Sequence, residues 1–149
     1  MADAPPVAIA LAADADLDAI HRLEVASFPA PWRREFFESE LHASGRFCLS
    51  AKQGPTLVGY LFAMWFFDEM HVNKIAVDES ARRLGIANTL MAQCLAFARR
   101  QGVKTISLEV RQSNDGAQAF YKQLDFAQSY VRPRYYPDGE AAVVMTRKV

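Results

Sequence analysis

A chain of 149 residues, 51% hydrophobic and 23% charged, is long enough to bury one core and too apolar to stay disordered. Its 17 Lys and Arg residues balance 17 Asp and Glu, and that zero net charge speaks against a nucleic-acid-binding face without excluding a local basic pocket. Cys48 and Cys94 lack C-x-x-C spacing and are expected as buried free thiols of a reducing cytoplasm, while His21, His42 and His71 form no ligand cluster, so no metal is expected.

The opening MADAPPVAIALAADAD has no basic n-region and soon turns acidic, which predicts no signal peptide. VAIAL at Val7–Leu11 predicts the first strand. Asp14 or Asp16 then caps a helix with Leu17, Ile20, Leu23 and Phe28 on one side. The prolines of FPAPW end it, and a second helix follows over Arg33–His42 with Phe36, Phe37 and Leu41 as its apolar face. RFCLSAKQGPTLVGYLFAMWF is a hairpin turning at Gly54-Pro55. Its apolar block, Tyr60–Phe67, is far shorter than the ~20 residues a helix needs to cross a bilayer, and predicts a buried central strand rather than a membrane contact.

HVNKIAVD is another strand. A long helix spans Leu84–Arg100, with Leu84, Leu90, Met91, Leu95 and Phe97 near one face and Gly102 at its end. KTISLEV is a strand, NDGAQAFYKQLD a short helix, and FAQSYV and EAAVVMTR close the chain as a hairpin around RPRYYPDG. The order β-α-α-β-β-β-α-β-α-β-β predicts one α/β domain over residues 1–149: a mixed sheet with helices on both faces.

The stretch VDESARRLGIANTL, Val77–Leu90, carries the first chemical signal. Two arginines precede a helix whose first N–H groups have no partner within it and whose dipole is positive there. Gly85 and Ala87 keep bulk away from that backbone, and Thr89 offers a hydroxyl. Such a junction suits a pyrophosphate, though a solvated helix start with two surface arginines fits the same residues. The P-loop and dinucleotide fingerprints are both absent.

Arg82-Arg83-Leu84-Gly85-Ile86-Ala87 resembles the acyl-coenzyme A signature [QR]-x-x-G-x-[GA] of the GNAT acetyltransferase superfamily. NKIAVDESARRLGIANTLM, LEVRQSNDGAQAFYKQLDF, RPRYYPDGEAAVVM and FPAPWRREFFESEL resemble successive blocks of its RimI-like branch, the ribosomal-protein-alanine N-acetyltransferases. The resemblance implies the GNAT fold, a mostly antiparallel mixed sheet whose central parallel pair splays to hold acetyl-CoA. It implies that Ile75, Ala76 and Val77 hold the pantetheine arm, and that the pyrophosphate sits on Arg83, Leu84, Gly85, Ile86, Ala87 and Asn88 with Arg82 beside it; the Thr89 hydroxyl noted above is expected to join them. Asn114 is implied as a cofactor contact, and is also a good helix cap.

The same resemblance makes Glu109 the general base and Tyr121 the general acid beside the thioester. By residue type alone, Glu109 also suits an ion pair or a solvated strand end, and Tyr121 a core position. Arg134, Tyr135 and Tyr136 are the implied peptide-side residues, and Glu69, on the preceding strand, is expected to face the same cleft and meet a basic residue of the peptide; the alternative for the loop is a surface turn packed on the sheet. The implied acceptor is a protein N-terminus, that of a ribosomal protein; a lysine, a small amine, or a binding module without turnover are the rivals. Two departures stand out: Asp125 replaces the family's glycine after the tyrosine helix, and Ala141 replaces an acidic residue in the terminal loop.

Overall fold

The computed structural model describes residues 5–149; residues 1–4, where the leader reading begins, lie outside the described residues. Eleven elements follow the expected order: β1 (Val7–Leu11), α1 (Leu17–Ser27), α2 (Arg34–His42), β2 (Arg46–Gln53), β3 (Thr56–Phe66), β4 (Glu69–Val77), α3 (Ile86–Arg100), β5 (Thr105–Arg111), α4 (Asp115–Gln123), β6 (Ala127–Arg132) and β7 (Ala142–Lys148). They build one seven-stranded sheet in the order β1-β2-β3-β4-β5-β7-β6. Every neighbouring pair is antiparallel except β4 and β5, which α3 joins as a crossover.

Each face of the sheet buries its own apolar set. Leu17, Ile20 and Leu23 of α1 and Phe37 of α2 pack on Cys48, Tyr60 and Phe62. On the other face Ile86, Leu90, Met91, Cys94, Leu95 and Ala98 of α3, with Tyr121 of α4, pack on Leu49, Leu61, Ile106 and Leu108. Strands covered on both sides read as continuous apolar runs, which is why β3 is so apolar. Burial pushes both thiols up to about 12, so neither cysteine is a ready nucleophile.

Four local expectations need correction. Leu84 lies before α3 and is exposed, because Arg83 and Gly85 take left-handed φ of 76° and 71° and turn the chain into the helix only at Ile86. Phe36 is exposed, while Phe37 is fully buried from α2 and Leu41 packs against the same core in part. The apolar block at Tyr60–Phe67 is buried only in part, since Phe66 and Phe67 project from the β3–β4 turn at 72% and 80% exposure. Neither Asp14 nor Asp16 caps α1 by a side-chain bond; Asp16 accepts from the Ala13 N–H at 2.8 Å and pairs with Lys52 at 2.6 Å.

Candidate active site

The parallel pair is short. Strands β4 and β5 meet only over Glu69–His71 and Thr105–Ser107. Beyond that they diverge, because Asn73 is bulged out of the β3–β4 ladder, with Phe62 paired to Lys74 and Ala63 to Val72. Strand β5 meanwhile stays paired to β7 through Arg111. The wedge holds a cavity of about 430 Å3 walled by Asn73 and Ile75 on one side and Glu109 and Arg111 on the other. A second cavity, of about 460 Å3, adjoins it and runs toward Val77, Arg82 and Ala87. Phe28, Ile75, Asn114 and Tyr121 border both, so the two form a continuous passage.

At the far end of that passage stands the start of α3. Gly85 is its N-cap, no side chain caps it, and the first bond within the helix runs from the Thr89 N–H to the Gly85 carbonyl at 3.0 Å. The amides of Ile86, Ala87 and Asn88 therefore lack helical partners. A Cβ built at Gly85 meets nothing within 4 Å, so packing does not demand glycine there. Arg82, Arg83, Leu84, Asn88 and Thr89 are exposed, while Ile86 is buried in the core. Thr89 uses its hydroxyl hydrogen on the Gly85 carbonyl at 3.0 Å and, with Leu84, borders a different groove beside β1. Asn114 caps α4, accepting from the Ala117 N–H at 3.0 Å, and borders both cavities as well.

Alternation along β5 puts Ile106, Leu108 and Val110 into the core and Glu109 on the opposite face. The Glu109 carboxylate is in hydrogen-bond contact with His71 Nε2 and lies 3.5 Å from Arg132 Nη1. Burial works against a charged His71 imidazole, but Glu109 and Asn73 outweigh it and hold its pKa above the ordinary value. Tyr121 comes from α4, a buried residue that borders both cavities. Burial first, then neighbouring Tyr136, raises its pKa, so the phenol keeps its proton.

The terminal loop is latched to the end of β5. Arg111 pairs with Asp138 at 2.8 Å and Glu140 at 2.9 Å, and Glu140 also accepts from the Ser113 N–H at 2.8 Å. The Arg111 guanidinium stacks over the Tyr136 ring at 4.1 Å, and Tyr136 borders the first cavity. Burial above all pushes the Tyr136 phenol up to about 12. Tyr135 is 45% exposed, with the Arg132 guanidinium 5.3 Å from its ring, and Arg134 is exposed in the turn at φ 52°. Glu69 belongs to β4 itself, exposed at the closed end of the wedge and outside the cavity lining.

A second charged cluster, unforeseen in the sequence, braces the α1–α2 loop. Glu24 is fully buried and accepts from the Trp32 N–H at 2.9 Å, from Lys74 Nζ at 2.9 Å and from the Tyr60 hydroxyl. Lys74 also lies 3.8 Å over the Phe28 ring. One signal was available: Glu24 stands four residues after Ile20, on the apolar stripe of α1. Among the described residues no group of three or more His, Cys, Asp or Glu is placed to hold a metal ion, and no helix is long and apolar enough to cross a membrane.

The passage thus runs from an uncapped basic helix start to a carboxylate and a phenol, and the sequence that builds it is that of an acetyltransferase. The profile of the Acetyltransferase (GNAT) family matches residues 17–126, and the chain belongs to that family. It is 35% identical over 153 aligned positions to the N-alpha-acetyltransferase RimI of Mycobacterium tuberculosis, spanning 98% of this chain and 95% of that one. An uncharacterized Mycobacterium leprae protein is likewise 35% identical across 99% of this chain, which spans only 42% of that longer relative. The fold superposes on the crystal structure of the ribosomal-protein-S18-alanine N-acetyltransferase from Escherichia coli with a TM-score of 0.89 at 28% identity, covering 97% of this chain and 94% of that one.

Proposed function

We propose that the chain transfers the acetyl group of acetyl-CoA to the α-amine of a protein N-terminus, and that its target is the N-terminal alanine of a small-subunit ribosomal protein in the cytoplasm. One observation carries this reading: Glu109 and Tyr121 border the same cavity inside the wedge, where an acyl donor and an amine can meet. The similarity to N-alpha-acetyltransferases supports the acceptor class, and the likeness to the ribosomal-protein-S18-alanine N-acetyltransferase of Escherichia coli supports alanine.

In this mechanism the open backbone edge of Ile75–Val77 holds the pantetheine arm, and the α3 start with Arg82 and Arg83 holds the pyrophosphate. The terminal loop, through Arg134, Tyr135 and Tyr136, contacts the peptide. Glu109 takes a proton from the α-ammonium, the free amine attacks the thioester carbonyl, and the Val77 N–H steadies the oxyanion. Tyr121 donates its proton to the departing thiolate. An α-amine, with an unperturbed pKa of about 8 against about 10.4 for lysine, is the easier acceptor to deprotonate near neutral pH.

The test is acetyl transfer to a peptide panel that varies the first residue, with the acetyl group mapped by mass. Preference for an N-terminal alanine peptide, acetylated at its α-amine, is the expected result. Acetylation of lysine would replace the acceptor, and thiol release from no peptide would leave a binding module. Acetyl-CoA should also raise the melting temperature, by mass action. Gly85→Glu should abolish that rise, since its side chain enters ligand space and repels phosphate. Because a Cβ at Gly85 meets no protein atom and Arg83 already tolerates a left-handed φ, this variant should fold.

A further inference from the structure

Glu109 borders the cavity, whereas His71 stands behind it. The Glu109 side chain is 12% exposed and that of His71 31%, so the ring is the more solvent-accessible of the two. Both ring nitrogens of His71 meet oxygen acceptors: Nε2 meets a Glu109 oxygen and Nδ1 the Asn73 amide oxygen at 2.5 Å. The Asn73 amide is oriented by its other end, where Nδ2 donates to Glu40 at 3.4 Å. A neutral imidazole has one N–H and can satisfy only one of two acceptors; an imidazolium satisfies both.

We propose that His71 and Glu109 act as one proton-accepting unit, in which Glu109 takes the proton of the peptide α-ammonium and His71 holds it and releases it to water. The inference rests on the proposed role of Glu109 and adds a partner to it. The balance is simple. An N–H bond of the ammonium breaks and its proton passes to a Glu109 oxygen. In the neutral ring the proton sits on Nδ1, donated to Asn73, so Nε2 is free, and the proton on the Glu109 carboxyl moves across the Glu109–His71 contact to Nε2, leaving a carboxylate and an imidazolium. The imidazolium gives up one proton to bulk water and, by exchange through water, returns to the Nδ1–H tautomer, which resets the unit.

The unit has a resting state that cannot accept. With His71 protonated, Glu109 is bracketed by two cations, His71 and Arg132. The cluster is then net positive and disfavours an incoming ammonium. With His71 neutral, the cluster of His71, Glu109 and Arg132 carries no net charge. The competent enzyme is therefore the one with neutral His71, and the pair titrates as a unit. The groups around the ring are Glu109 of β5, Arg132 of β6, Asn73 and Glu69 of β4, and Glu40 of α2 behind Asn73. Glu40 is itself paired with Arg46 of β2 at 3.2 Å.

Histidine-labelled protein allows the test by NMR, since the chain has only His21, His42 and His71. The signal lost in His71→Gln is His71. Its midpoint should lie above the ordinary imidazole value in the native chain and fall in Glu109→Gln. The low-pH arm of kcat/KM for an N-terminal alanine peptide should share that midpoint. In His71→Gln that arm should move away from it, and the rate near neutral pH should drop about a hundredfold, the low end for a positioned proton acceptor. An unchanged melting temperature, and an unchanged rise with acetyl-CoA, would show that the variant is folded. If His71→Gln keeps the native rate and the native pH arm while Glu109→Gln loses activity, the partnership is wrong and Glu109 acts alone. If Glu109→Gln keeps full activity, the proposed role of Glu109 fails first.

Discussion

Strand β4 supplies a cation or hydrogen-bond donor to two carboxylates on the same face of the sheet, and the two pairs differ in what surrounds them. Lys74 meets Glu24 in a cluster where both carboxylate oxygens have donors and the carboxylate itself is fully buried, although Lys74 also borders the first cavity. His71 meets Glu109 in a cluster that borders a cavity on one side and solvent on the other. A buried charge is tolerable only when paired and hydrogen-bonded. The first cluster meets that demand from within and so fixes the α1–α2 loop. The second leaves a side open, where an ammonium can bring a proton. Two basic residues three positions apart on one strand, His71 and Lys74, are thus divided between moving protons and holding shape.

The strongest way to break that division is to remove the closed carboxylate. Glu24→Ala strands Lys74 and leaves the Trp32 N–H and Tyr60 hydroxyl without their acceptor. We expect a loss of about 3–5 kcal/mol in denaturant unfolding, the usual cost of removing one partner of a buried ion pair. Tyr60 depends on the same group: burial, then the Glu24 charge, keep its phenol protonated. A loss near zero would mean that the cluster does not brace the fold.

Glu109→Gln provides the contrast. The amide keeps the shape, and the open cluster has solvent to compensate, so the stability change should stay within about 1 kcal/mol. Its pH dependence has a definite sign. A histidine whose folded pKa is raised contributes stability that is full below its unfolded value of about 6.5 and is lost as pH rises through the folded value. The gap between native protein and Glu109→Gln should therefore be wider just below that unfolded value than at pH 8. A gap that widens toward alkaline pH would contradict the pairing. Turnover at neutral pH should fall far more than acetyl-CoA binding does, and the loss should shrink at high pH, where the amine is already free.

Tyr136→Ala sharpens the comparison on the peptide side. The ring borders the first cavity and carries the Arg111 stack, so its loss should raise the peptide KM about tenfold, as the loss of one good contact does. Acetyl-CoA affinity should stay nearly unchanged, because Tyr136 does not border the second cavity. Equal loss for both substrates would make the loop a packing element.

Element order and face were legible because periodicity reports burial directly: Ile106, Leu108 and Val110 alternate as a strand, and Leu90, Met91, Cys94 and Leu95 repeat as a helix. Glu109 stood out against that alternation, and the helix start at Arg82–Gly85 was visible as chemistry without periodicity. His71, Arg132, Lys74 and the Arg111 latch were not, because their meaning lies in partners 23 to 50 residues away. Glu109 lies 38 residues beyond His71, and only the parallel register, which sets His71 beside Ser107, brings Glu109 within reach. Register between distant strands is fixed by the folded sheet, and spacing along one segment does not carry it. The exposed Phe66 and Phe67 were missed for a related reason, since an apolar run does not announce where its strand turns.

The smallest expected effect concerns two helix ends built alike. Helix α3 closes with the Gly102 N–H on the Arg99 carbonyl at 3.2 Å and the Val103 N–H on the Ala98 carbonyl at 3.0 Å. Helix α4 closes with the Asp125 N–H on the Lys122 carbonyl at 3.1 Å and the Phe126 N–H on the Tyr121 carbonyl at 3.0 Å. Both ends need a left-handed residue, φ 76° at Gly102 and 67° at Asp125, but only the first is glycine. Asp125 thus carries the strain expected from a departure at this position, of about 1 kcal/mol. Asp125→Gly should relieve it, offset in part by the greater freedom of glycine in the unfolded chain, for a net gain of about 0.5 kcal/mol. Because Tyr121 sits in the turn that this motif ties down, the variant should also leave kcat unchanged: the strain is local to the backbone of residue 125 and the two closing bonds remain. A fall in kcat with a rise in stability would instead show that the strained end of α4 sets where the Tyr121 hydroxyl meets the cavity.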